Sequence, residues 1–444
     1  MQEELITMLE QKRFHELSRL LRDQTGPDIA ALVDEIPEQY LPLVYRLLPK
    51  DLAADAFVAM DPDVQELLIA ALSDSELQEV LTLLFLDDTV DIIEEMPANV
   101  VKRILQNSTA DKRRQINEIL RYPDDSAGSI MTTEYVDLKK DMVVAEAFAH
   151  IRATGLNKET IYTCYVTDEN RMLLGLVTVR TMLLSEASRR IEDIMETNII
   201  FARTLDDRED VAKQFDKYGF LALPVVDQEN RLVGIVTFDD AMDVIQEEAE
   251  EDFEKMAAMS PSEESYFKTS VFGHAKHRIV WLLVLMLSAT FTGAIITRYE
   301  DAFSAIPMLV AFIPMLMDTG GNAGGQASVT VIRGLSLGEI EYSDVFGIIW
   351  KELRVALLCG GTLAAANFVK LMLIDQVGMS VALVVCLTLV ITVIMAKLIG
   401  CTLPILAKKV GFDPAVMASP FITTIVDALS LIVYFQIATY LLGL

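Results

Sequence analysis

Nineteen uncharged residues, IVWLLVLMLSATFTGAIIT, lie between Arg278 and Arg298, and this run limits the fold more than any other feature of the chain. As a helix rising 1.5 Å per residue it spans about 28 Å, close to the thickness of a bilayer's hydrocarbon core. Four more apolar runs follow: from about Phe303 to Ile332, from about Val345 to Leu373, from roughly Val381 to Leu406, and from near Pro414 to the C-terminus. Asp318 and a glycine-rich stretch interrupt the first of these four. The expectation is a multi-pass protein of the cell membrane, with an all-α transmembrane domain of five helices over residues 273–444.

The charge lies elsewhere. The chain has 65 acids, 37 bases and a net charge of −28, and residues 1–270 hold 55 of those acids with 27 of the bases. A surface this acidic repels polyphosphate, which argues against nucleic acid, and it attracts cations. Met1 to Glu10 lacks the basic start and apolar stretch of a secretory signal, so the N-terminal part is expected in the cytosol. Five spans then place the C-terminus outside. Lys276, Arg278, Arg333, Lys351, Arg354, Lys397, Lys408 and Lys409 fall toward the inner side and only Arg298 and Lys370 toward the outer, as the positive-inside rule requires. Cys164, Cys359, Cys386 and Cys401 form no metal-site or disulfide pattern. No nucleophile–base pair, zinc motif or P-loop points to an enzyme.

Asp427 interrupts the last run, with thirteen uncharged residues before it from Pro414 and seventeen after it. On one continuous helix from Pro414 it would lie about 20 Å or more from either end. A short aspartate cannot snorkel that far, so it faces a protein interior or a water-filled path. The two readings are a cation site in a pore and a structural ion pair, for instance with Lys397. In the second run, Asp318-Thr-Gly320-Gly321-Asn322-Ala-Gly324-Gly325-Gln326 places four glycines in six residues. Glycine permits close helix packing, and it also permits local unwinding that aims carbonyls at an ion. Asn322 and Gln326, four apart, share a helical face and offer neutral oxygens. Asp318, the four glycines, Asn322, Gln326 and Pro420 are candidate pore-lining residues.

Residues 1–125 read as short amphipathic helices with a recurring unit, LVDEIPEQYLPLVYRLL from Leu32, FVAMDPDVQELLIAAL from Phe57 and IIEEMPANVVKRIL from Ile92. Such repeats stack into a superhelix. From Ser126 to residue 245 strands and helices alternate in two similar units, about 126–188 and 189–245. One has Ile130-Met131 and GLVTVRTML; the other has Ile194-Met195 and GIVTFDDAM. The pattern resembles a tandem pair of cystathionine-β-synthase (CBS) domains, a module that often binds adenine nucleotides or carries regulation. Residues 246–272 form an acidic connection, read as a helix up to Met259 with a break at Pro261. Its acids include Glu247, Glu248, Glu250, Glu251, Asp252 and Glu254, preceded by Asp239, Asp240 and Asp243. Asp87, Asp88 and Asp91 make a second acidic cluster that can face them.

The order of these parts, with GGNxGxQ in the second span and PFxTTxxD in the fifth, resembles the MgtE family of magnesium channels. That resemblance implies a multidomain homodimer with its pore on the two-fold axis, where Asp427 binds hydrated Mg2+. It further implies regulatory Mg2+ bound by Asp240, Asp243, Glu248, Glu251 and Asp252, by the cluster at Asp87 to Asp91, and by Asp413 at the start of the fifth span. ATP at the CBS pair stays open. Physics agrees with the scheme: facing carboxylates repel until a divalent cation bridges them, which biases a two-state element. The alternatives are a nucleotide-regulated transporter of another divalent cation and a membrane sensor that transports nothing.

Overall fold

The computed structural model describes residues 2–443 apart from 35, 263–265, 267–268 and 300–305. Phe303, the expected start of the second apolar run, lies outside the described residues. The chain divides into two compact units, Met1–Gln246 and Glu247–Leu444.

The first unit opens with short helices, from Gln2–Glu10 to Ala110–Ile119. Proline sets several of their starts, as the repeat suggests. Pro62 is the first residue of the helix Pro62–Ala71, where its missing N–H costs no bond, and Pro97 precedes Ala98–Asn107. Ser73 and Glu76 form a capping box on Asp74–Leu83. One apolar core, including Leu17, Leu21, Ile29, Phe57, Leu68, Leu77, Val90 and Ile104, runs through these helices. Each short helix is marginal alone and gains its stability from that shared burial.

The CBS-like part has two three-stranded sheets of matching topology. β1 (Val136–Lys139) pairs in parallel with β2 (Thr163–Thr167), which pairs antiparallel with β3 (Leu173–Thr178). β4 (Ala202–Arg203), β5 (Ala222–Val226) and β6 (Leu232–Thr237) repeat the order and the strand senses. The two units interlock in a way that the repeat alone does not show. Met131, from the first unit's Ile-Met motif, packs on Gly234 of β6, and Met195 packs on Gly175 of β3. A Cβ at either glycine would overlap the methionine sulfur, so each GxVT strand needs its glycine to receive the other unit's segment.

The helix expected to connect the soluble part to the membrane begins earlier than the sequence suggests. It leaves β6 directly and runs from Phe238 to Met256, with Asp239 and Asp240 in its first turn, where carboxylates suit the helix dipole. It ends three residues before Met259, and Ala258 takes a left-handed φ of 54°.

In the second unit five long helices are described: Val271–Arg298, Ile313–Ser336, Val345–Leu373, Met379–Val410 and Ser419–Leu442. We refer to them as the first to fifth spans. The first, third, fourth and fifth are long and apolar enough to cross a membrane by length and composition. The second carries Asp318, Asn322, Gln326 and Arg333, which lower its hydropathy. Of the two readings of the glycine cluster one is met, and the expected depth of Asp427 is corrected. The glycine cluster does not unwind; the second span is one continuous helix, because the glycines are spent on close packing. Gly320 faces Thr392 and Val426, Gly321 faces Thr423, and Gly324 faces Ile422 and the Ala396 carbonyl. Asp427 also lies nearer a helix end than about 20 Å. A separate 3-10 turn, Pro414–Met417, precedes the fifth span, which starts at Ser419, eight residues before Asp427 and so about 12 Å from it along the axis.

The tightest crossing is at Gly400 of the fourth span, where an added methyl would overlap the Gly324 carbonyl oxygen. Gly400→Ala is therefore expected to destabilise the membrane part by roughly 1–3 kcal/mol, the usual range for overpacking. A thermal midpoint in detergent no lower than the parent's would show that these spans do not cross here.

Candidate metal centres

The fifth span half-buries Asp427, and its Oδ1 is buried without a hydrogen-bond partner among the described residues. Lys397, the cation suggested for a structural pair, is buried beside Glu352 instead, with Nζ 3.6 Å from Oε2. The second span turns Gly320, Gly321, Gly324 and Gly325 inward and leaves Pro314, Asp318, Asn322 and Gln326 exposed. These four, each four residues from the next, form one stripe along the helix. Among the predicted pore residues, then, Asp318, Asn322 and Gln326 offer oxygens, while the glycines bring the helices together. Pro420 is the second residue of the fifth span and sets its start.

The soluble part builds a candidate centre that the sequence shows only in part. Carboxylate oxygens of Asp87, Glu134 and Glu159 lie within 4.8 Å of one another. Asp87 and Asp88 occupy the first turn of the helix Leu86–Glu95, at the positive end of its dipole. Glu134 Oε2 accepts from the Leu86 N–H at 3.0 Å, and the Glu159 N–H donates to the Glu134 carbonyl at 2.8 Å. The connecting helix adds Asp240, whose Oδ2 accepts from Thr237 Oγ1 at 2.5 Å, with Asp239 beside it. Lys112 donates to the Leu81 and Leu84 carbonyls at 2.7 and 2.6 Å, close enough to feel Glu134, Asp88 and Asp87.

Crowded acids out of water resist ionisation. Burial first, then the charges of Asp240, Glu159 and Asp88, hold the Asp87 carboxyl well above its ordinary range. Burial and four neighbouring acids push Glu159 up to about 8. Burial, with Asp239 and Asp88, pushes Asp240 up to about 7, against the opposing Thr237 hydrogen bonds. Such a set is strained when charged and unaided, and its all-oxygen donors suit a hard divalent cation that keeps some of its waters.

The raised carboxyls fix the sign of a pH effect. Between about pH 8 and the ordinary carboxylate range near 4 the folded state binds more protons than the unfolded chain, so its stability rises as pH falls. Without divalent cations, the thermal midpoint of the soluble part in the intact protein is therefore expected to be higher at pH 5.5 than at pH 8.5. Each kcal/mol relieved is worth about 2–4 °C in a unit of this size, and Mg2+ should flatten the trend. A midpoint that rises with pH would contradict the crowding.

The other expected ligands are placed as follows. Asp91 and Asp243 are exposed and Glu248 is half-buried, outside this cluster. In the second unit, Ser336 Oγ donates to Asp252 Oδ2 at 3.3 Å. Glu251 and Asp413 do converge, on the ammonium of Lys255, at 2.7 and 2.6 Å. Asp413 Oδ1 also caps the turn before the fifth span by accepting from the Ala415 N–H at 2.8 Å. Glu134 and Glu159 were missed because each is a lone acid in TTEYV and NKETIY, with no spacing signal.

Similarity to known proteins extends over nearly the whole chain. Residues 313–437 match a family described as a divalent cation transporter, MgtE; residues 26–125 match the MgtE intracellular N domain, and 127–187 and 191–247 match the CBS domain. The magnesium transporter MgtE of Thermus thermophilus is 34% identical over 438 residues, covering 96% of this chain and 95% of that one. The chain belongs to the MgtE family. The magnesium transporter MgtE of Bacillus subtilis is 31% identical, covering 98% and 96% of the two chains. Among solved structures, the cytosolic domain of the Mg2+ channel MgtE in complex with ATP superposes with a TM-score of 0.52 at 34% identity, covering 55% of this chain and 100% of that one. MgtE architecture thus accounts for the order seen here: stacked helices, interlocked CBS units, a connecting helix and apolar spans.

Proposed function

We propose that this chain carries Mg2+ across the cell membrane as a homodimer, through a path on the two-fold axis, and that cytosolic Mg2+ closes it. The observation that carries the reading is Asp427: a carboxylate on a membrane helix, without a cation partner among the described residues, in a member of the MgtE family. Exposed Asp318, Asn322 and Gln326 support a second copy, since a polar stripe on a span is poorly suited to lipid and suits a wet path between protomers. The CBS units support it too. Leu183 after β3 and Met242 after β6 leave apolar side chains exposed at corresponding places of the repeat, with exposed Leu184 and Phe238 nearby.

For the gate, Asp87, Asp88, Glu134, Glu159, Asp239 and Asp240 form the principal regulatory centre, with Glu251, Asp252 and Asp413 acting where the connecting helix meets the membrane part. The carboxylates supply the ligands, and their mutual repulsion supplies the bias toward opening when the cation is absent. The basic residues favour a cytosolic N-terminus and an outer C-terminus. The ATP complex of a relative's cytosolic domain makes ATP the ligand to try on the CBS pair. The direct test is Mg2+ flux into liposomes containing only this protein, with Mg2+ varied on the side of the soluble part. No flux at any Mg2+ concentration would leave the non-transporting sensor as the better reading.

A further inference from the structure

The third and fourth spans hold an ion pair that the proposed path does not use. Lys397 is 5% exposed. Eighteen uncharged residues, Met379 to Ala396, precede it in the fourth span. Its ammonium lies 3.6 Å from Glu352 Oε2, an oxygen with no hydrogen-bond partner among the described residues. A charge at this depth is costly unless a counter-charge faces it.

The depth of Lys397 relative to Asp427 follows from the glycine contacts. Gly320 touches Thr392 and Val426, and Gly324 touches Ala396 and Ile422, which sets the fourth and fifth spans in register. Lys397 follows Ala396 and Asp427 follows Val426, so the two lie about 9 Å apart along the axis. The other carboxylate near Asp427 is Asp318. In an apolar surround, attraction over this distance is weakly screened.

We propose that Glu352 is a positioning residue for permeation: by holding the Lys397 ammonium against the third span, it keeps a tethered cation out of the carboxylate site at Asp427. The inference rests on Asp427 lining the path. An ammonium released from Glu352 would compete with Mg2+ for the same carboxylates, and tethering gives it a high effective concentration. Removing Glu352 therefore blocks the site, whereas removing Lys397 does not. A purely structural pair behaves differently, because losing either partner strands a buried charge.

The experiment measures Mg2+ flux into liposomes for E352Q, K397M and E352Q/K397M, each checked for assembly by size exclusion. E352Q is expected to lose flux by about tenfold or more and to need more Mg2+ for half-maximal flux, the signature of a tethered competitor. K397M and the double variant should conduct like the parent. Equal loss in both single variants, a double variant as weak as E352Q, or parental flux through E352Q overturns the proposal. If E352Q does not assemble, E352D, whose carboxylate is one methylene shorter, should show a partial loss that K397M relieves; no relief overturns it equally. Asp427→Asn measured alongside separates the two readings. Parental flux through it removes the path assignment, while a weak D427N beside symmetric single variants removes only the role of Glu352.

Discussion

Replacing Asp427 by alanine is expected to abolish Mg2+ flux while the proposed dimer still assembles. The residue contributes no hydrogen bond through its buried Oδ1 among the described residues, so its loss costs the fold little. Its worth lies in charge. At an effective dielectric of about 20, unit charges 4 Å apart attract by about 4 kcal/mol, or about a thousandfold in occupancy. In the proposed dimer, a divalent cation between two copies of the carboxylate would feel more than that. Asp427→Asn keeps the shape and some oxygen donors but removes the charge, so it should also fail. Asp318→Asn, on the exposed stripe of the second span, is expected to reduce flux less. Near-parental flux through purified D427A would remove Asp427 from the path, whatever the family resemblance.

The second large effect concerns the gate. Neutralising Asp87, Glu159 and Asp240 together, as Asp87→Asn, Glu159→Gln and Asp240→Asn, is expected to abolish the dependence of flux on cytosolic Mg2+. A ligand shifts an equilibrium only by its differential affinity for the two states, and without these carboxylates that difference would be lost at the proposed regulatory centre. The same substitutions remove the repulsion that keeps Asp87 and Glu159 hard to ionise. The soluble part without divalent cations should therefore become more stable near neutral pH, and the pH trend described above should flatten. Basal flux can move either way, because both the binding and the repulsion disappear. If the triple variant still closes at the parent's Mg2+ concentration, this cluster is only a crowded surface. The carboxylates held by Lys255 would then be the next place to look for the sensor.

Local pattern settled a great deal about this chain. Apolar runs about as long as a bilayer core is thick leave few alternatives to spanning helices, and the bounds of the third were legible to the residue, Val345–Leu373. The doubled Ile-Met and GxVT motifs declared a repeated α/β unit, because strand alternation and turn residues are written in neighbouring positions. A carboxylate inside an apolar run is conspicuous at any register, so Asp427 needed no structure to be singled out.

What tertiary structure decided is which distant groups meet. Lys397 had more than one carboxylate to choose from, and only the packing of the third span against the fourth gave it Glu352 rather than Asp427. The glycine cluster could serve packing or unwinding. Gly400, seventy-six residues beyond Gly324, decided for packing by bringing its backbone against the Gly324 carbonyl. Glu134 and Glu159 join Asp87 because the helix Leu86–Glu95 docks on the first CBS unit, and the exchange of Met131 and Met195 ties the two units into one body. Helix and strand periodicity records which side of an element is buried. It carries no record of the partner, which is set by long-range packing and by charges that must find one another out of water.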